Sequence, residues 1–422
     1  MALTADDLVD VLIACSGGEI DGLAADRESA GLAEIVLLLR HAQPMFAATV
    51  LSAWQAEDSE LSPALLLELD MARTRVDYYR SVDASLTSKL PDLISISGLE
   101  IADLYPSGLT RNMIDLDYVA AVESDLWQAC DQLIRHGWEL ETATFCYFGG
   151  SPQIMVSLTR QHEDPYQLPY GVEIATYYAA GNYGAIRPLM HLRAQWRAPA
   201  VKNILMLLYE RYEQPYRARD LVDGALLFGS LRGDELAVLH DAVHTLSLGV
   251  QYCELVELTG RAGLGPLPAW PGTRWATSTL RARRLAQGAG YFLRPLAGTG
   301  RQLQRRMMTG DLGHAEEIAW DAVQRRLAVP QAISGGMLAF GLPLDCPAPQ
   351  VTSAVLSRRG RLAWADTPIG RFLLTIGDFV SQEDVDELAV PDAASSPDAR
   401  LSEYCRGSAG GRPMNVPVNR RA

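Results

Sequence analysis

Two periods of apolar residues divide this chain. Through residues 1–90 they recur at three and four, first in LAEIVLLLRHAQPMFAATVLSAW and then in PALLLELDMARTRVDYYRSVDASL. That is the spacing of amphipathic helices, with Pro44 and Pro63 as punctuation. Arg73, Arg75 and Arg80 read there as a solvated helix face. From 91 to 190 the period shortens. LISIS (93–97) is short and β-branched, and GLEIADLY is a helix stopped by Pro106 and Gly108. MIDLDYVA (113–120) alternates apolar with acidic, a strand with one special face. SDLWQACDQLIRHG runs as a helix from a Ser124 cap to Gly137. TATFCYFG, PQIMVSLTR and YGVEIATYY are three more strands between Gly/Pro turns.

From 191 to 330 helical spacing returns, in VKNILMLLYERY, ARDLVDGALLFGSL, DELAVLHDAVHTLSLGVQYCELVEL and HAEEIAWDAVQRRLA. GRAGLGPLPAWPGTRW (260–275) interrupts it and marks an internal boundary. Residues 331–390 read as a small mixed α/β segment, with a strand at TSAVLSR, a turn at RRGR and a helix near QEDVDELA. The Ser-, Gly-, Pro- and Arg-rich stretch 391–422 predicts a disordered tail. No internal repeat is visible. The expected fold class is α/β of the α+β kind: a mixed-sheet core at 91–190 between helical segments 1–90 and 191–330.

Composition narrows the function classes. The 422 residues carry a net charge of −14, which argues against general long-range attraction to nucleic acid or anionic membrane. Lysine occurs only at Lys89 and Lys202, so a phosphate-gripping cation is expected to be arginine, which binds as a bidentate fork. The scattered cysteines (15, 130, 146, 253, 346, 405) have neither metal-ligand nor redox spacing and read as reduced thiols. No apolar run reaches the ~18 residues of a membrane span. LIAC, ending at Cys15, imitates a lipoprotein cleavage site. Asp6, Asp7 and Asp10 precede it and no Lys or Arg occurs before Arg27, so the expected location is cytoplasmic.

The chemistry concentrates in ISGLEIADLYPSGLTRNMIDLDYV, residues 96–119. In a strand, residues i and i+2 point to one face about 6.5 Å apart, so Asp115 and Asp117 project together. Leu116 and Tyr118 face the other way, and Ile114 and Val119 make the strand read as buried. Adjacent carboxylates in such a setting repel and lose hydration, and a divalent cation removes both penalties. Glu173, between Val172 and Ile174, is a third acid on a second strand. An Asp-x-Asp pair by itself is most often a solvated edge or turn; the Gly turn, Arg111 and third acid distinguish this one.

These residues resemble the nucleotidyltransferase fold of the DNA polymerase β superfamily. More closely, they resemble a bacterial group often labelled uncharacterised nucleotidyltransferases. That group has a hydrophobic-Lys-Gly turn, a helix ending in Tyr-Pro, Arg-x-x-x-Asp-x-Asp, and an apolar-Glu-apolar strand. Gly98, Tyr105-Pro106, Arg111, Asp115, Asp117 and Glu173 match it, and the helix start Arg219 to Asp223 also fits. The resemblance spans residues 60 to 260. Ser97 stands where the group tends to have lysine, and Leu99 where the wider superfamily often has serine. The resemblance implies transfer of a nucleoside monophosphate from an NTP to a hydroxyl acceptor, with release of pyrophosphate. Asp115 and Asp117 would hold two Mg²⁺ ions (or Mn²⁺), and Glu173 would complete the site beside the acceptor hydroxyl. Gly98 would let backbone approach the phosphates, and Ser97 and Arg111 would contact the triphosphate. For Arg111 an ion pair with Asp115 or Asp117 is an equal reading. The acceptor stays open between a small molecule, a tRNA end and a protein side chain. The rival expectation is a catalytically inactive relative that binds a nucleotide or serves as a scaffold.

Two other signals are weaker. His240 and His244 sit one helical turn apart, as in helical zinc sites, but read more simply as unconnected helix residues. Arg217, Arg219 and Asp220 either approach the site or cap a helix. The segment 274–306 holds eight arginines and no acid, a nucleic-acid or phosphate face in one reading. An arginine-rich helical surface paired with acidic helices is favoured.

Overall fold

The computed structural model describes residues 3–15, 32–148, 151–165, 167–179, 189–211, 215–271, 329, 333, 338–344, 349–359, 362–375, 385 and 399–400. Ten strands among them form one mixed sheet: β1 (Leu93–Ile96), β2 (Asp115–Ala120), β3 (Glu139–Phe148), β4 (Ser151–Arg160), β5 (Tyr170–Ala175), β6 (Ala339–Pro343), β7 (Val355–Arg359), β8 (Leu362–Thr367), β9 (Gly370–Thr375) and β10 (Ala399–Arg400). Their spatial order is β1-β2-β5-β4-β3-β6-β9-β8-β7-β10. β2 and β5 run parallel, and the other described pairs are antiparallel. With the helices this is a mixed α/β protein of the α+β kind.

The described helices are α1 (Ala5–Cys15), α2 (Leu32–Ala42), α3 (Ala47–Ala56), α4 (Pro63–Thr87), α5 (Gly98–Ala102), α6 (Glu123–Arg135), α7 (Pro199–Glu210), α8 (Ala218–Ser230), α9 (Glu235–Thr245) and α10 (Gly249–Arg261). Strand parity decides which helices meet which face of the sheet. Leu116, Tyr118 and Ala120 of β2 pack into one core with Tyr79 and Val82 of α4 and Leu126 and Cys130 of α6. Val119, of opposite parity, joins a second core with α1, α3 and α7 to α10. Residues 1–90 are therefore shared between two cores: α1 closes the helical layer, and α4 underlies the sheet.

Several local expectations change. Arg75 is buried, donates to the carbonyls of Leu168 and Pro169, and lies 4.9 Å over the Tyr170 ring. It is part of the aromatic packing, not a solvated face. Ile114 is 42% exposed, so burial on β2 begins after it. α6 starts at Glu123, so Ser124 lies inside the helix and is not its cap; the Glu123 carboxylate accepts from the Trp127 indole N–H and from the Ala354 backbone N–H. Segment 331–390 is not a separate layer: β6 pairs with β3 (Ala143↔Gly341), and β7 to β9 continue the core sheet. Ala399–Arg400, inside the expected tail, pair with β7. The 274–306 arginines, HAEEIAWDAVQRRLA, residues 360–361 of the RRGR turn, QEDVDELA apart from Val385, and the rest of 391–422 lie outside the described residues. Among the described residues no helix is long and apolar enough to cross a membrane.

The β3–β6 junction depends on a missing side chain. A Cβ on Gly341 would stand 2.9 Å from the Phe145 ring, 3.1 Å from the Ala143 carbonyl oxygen and 3.1 Å from the Phe372 Cβ. Gly341→Ala is expected to lower stability by ~1–3 kcal/mol in urea melts, the usual cost of overpacking. Gly229→Ala in α8, where a Cβ meets nothing within 4 Å, is expected to be neutral or slightly stabilising.

Candidate active site

A cleft opens between the second face of the sheet and helices α7 and α8. It is lined by Ser97, Gly98, Arg111, Asp115, Asp117, Glu210, Arg219, Asp220 and Asp223, with apolar side chains of Ile101, Met113, Ile114 and Leu207 between them. Five sequence-derived site residues therefore share one cavity. Glu173 does not line it, but register brings Glu173 beside Asp117 in the parallel β2–β5 pair. Ser157 of β4 is next across and donates its hydroxyl to Glu173 Oε1 at 3.0 Å.

Each carboxylate is placed by backbone. The Tyr79 hydroxyl donates to the Ile114 carbonyl and accepts from the Gly171 N–H at 3.0 Å, so one buried ring aligns the first residues of β2 and β5. Burial pushes its pKa up to about 12, which keeps that donor proton in place. Gly171 faces Asp115, and a Cβ there would come within 3.2 Å of the Asp115 Cβ. At the lip, Ser97 and Gly98 both have positive φ, 57° and 42°, so the chain leaves β1 through a strained turn. Asn203 of α7 holds that turn: its Oδ1 accepts the Ser97 N–H at 2.8 Å, and its Nδ2 donates to Glu100 at 2.7 Å. Lys202, buried beside it, donates to the Ser95 carbonyl and to Glu100. The turn without its own lysine is thus braced by one from the helical layer.

Arg111 is the most constrained group in the cleft. Neither Asp115 nor Asp117 is its partner. Its guanidinium meets Asp223 of α8 through Nε at 3.0 Å and Nη2 at 2.8 Å, and Nη1 donates to the Gly98 carbonyl at 3.3 Å. The two side chains are 5% and 3% exposed. Tyr105 donates its hydroxyl to the same carboxylate at 2.7 Å. Burial works against the arginine charge, but Asp223 outweighs it and the guanidinium pKa rises. The preceding residue is clipped to α3: Thr49 Oγ1 donates to the Thr110 carbonyl at 2.9 Å, and the Thr110 N–H donates to Ser52 Oγ at 2.9 Å.

The electrostatics of the carboxylates follow from burial. The Asp117 carboxyl is pushed well above the usual range, first by desolvation and then by Asp115, Glu173 and Glu210. Burial also raises Asp115, while Arg219 and then Arg111 pull it back down. Glu210 and Arg219 come from the helical layer. Sequence spacing pointed at Arg219 without deciding its role, and nothing in the chain's pattern singled out Glu210. Asp220 has a second task, accepting the Arg217 N–H at 2.8 Å at the start of α8.

The donors suit a hard cation by chemistry: carboxylate oxygens on one sheet face, two of them lining a polar cleft. Among the described residues no three His, Cys, Asp or Glu side chains already converge on one point. Mg²⁺ does not need such a cage, since it takes one or two carboxylates and fills its shell with water and phosphate oxygens. The histidine pair is a different case. His240 is half-buried with Nε2 3.2 Å from the Tyr252 hydroxyl, and its pKa is lowered by burial, while His244 is exposed. The chain matches no protein-family model, no curated protein and no solved structure.

Two measurements probe this arrangement. Arg111→Ala leaves Asp223 and Tyr105 buried without their cation and is expected to cost ~3–5 kcal/mol of stability in urea melts. Asp117 titrates higher folded than unfolded, so the folded state is favoured at low pH and loses that advantage as pH rises through the folded pKa. In chelator at neutral pH, Asp117→Asn is therefore expected to be more stable than wild type, with the gain shrinking as pH falls toward the unfolded carboxylate range. Melts across that pH interval that show a constant difference would contradict the assignment.

Proposed function

We propose that the protein is a nucleotidyltransferase that moves a nucleoside monophosphate from an NTP to a hydroxyl acceptor. One observation carries the reading: Asp115 and Asp117 stand half-buried side by side on β2, facing a cleft beneath the strained Ser97–Gly98 turn. Carboxylates forced together with little water are stabilised by a cationic ligand. The polymerase β-like identity of the core belongs to the same proposal. It is supported by the order of parts along the chain: strand, glycine turn, short helix, arginine, acidic strand, and a third acid on the parallel neighbour.

Asp115, Asp117 and Glu173 are the residues that would hold Mg²⁺ or Mn²⁺. When bound there, the cation supplies charge neutralisation for the phosphates and acidifies a coordinated hydroxyl. The chain's own contribution is placement. Gly98 lines the cleft with backbone alone, and a side chain there would press on the Met113 methyl at 3.1 Å. Ser97 offers a hydroxyl there. Arg111 fixes the turn relative to β2 and lends its field to Asp115. Ser157 orients Glu173. In the reaction the acceptor oxygen bonds to the α-phosphorus and the bond from that phosphorus to the bridging oxygen breaks. Pyrophosphate leaves with the electron pair. The hydroxyl proton passes to a cleft carboxylate oxygen and on to water. The acceptor is a small molecule, a tRNA end or a protein hydroxyl.

Calorimetric titration of each NTP with Mg²⁺ tests the reading. Wild type is expected to bind one NTP, and Asp115→Asn/Asp117→Asn to lose that binding. With an acceptor present, pyrophosphate release is expected to fall more than about a hundredfold in the double variant, the scale of a lost transition-state charge contact. Binding that survives the double substitution, without pyrophosphate release by wild type, would favour the rival nucleotide-binding scaffold.

A further inference from the structure

A nucleoside triphosphate brings about four negative charges, which the cleft must meet without help from a lysine at the turn. Arg111 is poorly placed for this. Its guanidinium donates to Asp223 and to the Gly98 carbonyl from a position almost sealed from solvent. Turning the fork toward a ligand would strand Asp223 and the Tyr105 hydroxyl in a buried site. Lys202 is likewise held by Ser95 and Glu100, and is absent from the cleft lining.

Arg219 differs on each count. It lines the cleft with Asp115 and Asp117 and is half-buried, so one side of its guanidinium is reachable. Among the described residues it makes no ion pair and no hydrogen bond. The helix it sits on is fixed independently, by the Asp223 contact one turn further on and by the Asp220 carboxylate that accepts the Arg217 N–H. The guanidinium is therefore delivered to the cleft by a rigid element, with its donors unspent.

Resting on the nucleotidyltransferase reading, we infer that Arg219 is the residue that binds the departing polyphosphate of the NTP, reaching across from the helical layer. Arg111 is the positioning residue that fixes where α8 presents it. The contact is to the β- and γ-phosphates, the part released as pyrophosphate, and the carboxylates of β2 attend the α-phosphate. The site then discriminates triphosphate from monophosphate through α8, while the sheet performs the transfer.

The test is calorimetry with three probes, the preferred NTP, its monophosphate and inorganic tripolyphosphate, each with Mg²⁺. It is run on wild type, Arg219→Gln, Arg219→Lys and Asp115→Asn/Asp117→Asn, with thermal melts as the check on folding. Arg219→Gln is expected to weaken NTP and tripolyphosphate by ~10–100-fold, as for a lost charge-assisted contact, and to leave the monophosphate unchanged. Arg219→Lys keeps the charge without the fork and is expected to lose less. If Arg219→Gln and Arg219→Lys both bind NTP and tripolyphosphate as wild type does, the inference is overturned. Loss of binding in the aspartate double variant would in that case leave the nucleotidyltransferase reading standing. Failure of wild type to bind any NTP would overturn both.

Discussion

The buried pairing of Arg111 with Asp223 is the constraint on which the cleft depends. One guanidinium touches three parts of the chain: the carbonyl of the Gly98 turn, the approach to β2, and α8. A buried ion pair of this kind contributes little net stability compared with apolar packing, because both charges lose their water. What it supplies is position. Asp223 accepts from Tyr105 as well, so rotating either charged group leaves a buried donor or acceptor unsatisfied. The sheet and the helical layer are therefore held at one separation, which fixes the width of the cavity between them.

Strand parity does the rest. The odd-numbered acids of β2 face the helical layer, while Leu116, Tyr118 and Ala120 fill the core against α4 and α6. A single strand thus anchors the fold with one set of side chains and presents charge with the other. The stored electrostatic cost of Asp117 is tolerated because its strand is held on both sides, by β1 and by β5.

Much of this was legible in the sequence where the signal is local. Alternation located β2 and β5, proline and glycine stopped the helix of α5, and i,i+2 spacing put Asp115 and Asp117 on one face. What was not legible depends on distant partners. Nothing near Arg111 reveals Asp223 in a helix far along the chain, so the sequence offered only Asp115, Asp117 or a triphosphate as its partner. Arg75 sits in a helix with regular spacing, yet its destination is a pair of carbonyls before β5. Glu210 ends a helix that reads as wholly structural. The strands after residue 338 carry ordinary alternation, and alternation does not say which edge a strand will join.

That last junction bears on how the chain reaches its native state. β3 pairs on one side with β4, its immediate neighbour in sequence, and on the other with β6, which lies beyond the whole helical layer. During synthesis the hairpin of β3 and β4 can form early, but its second edge stays open until β6 leaves the ribosome. Closing so long a loop carries an entropic cost and slows folding, and an unpaired edge recruits other chains in the meantime. The polypeptide is thus most exposed to aggregation after its cleft has all its residues and before its sheet is complete, the interval in which a chaperone has most to offer.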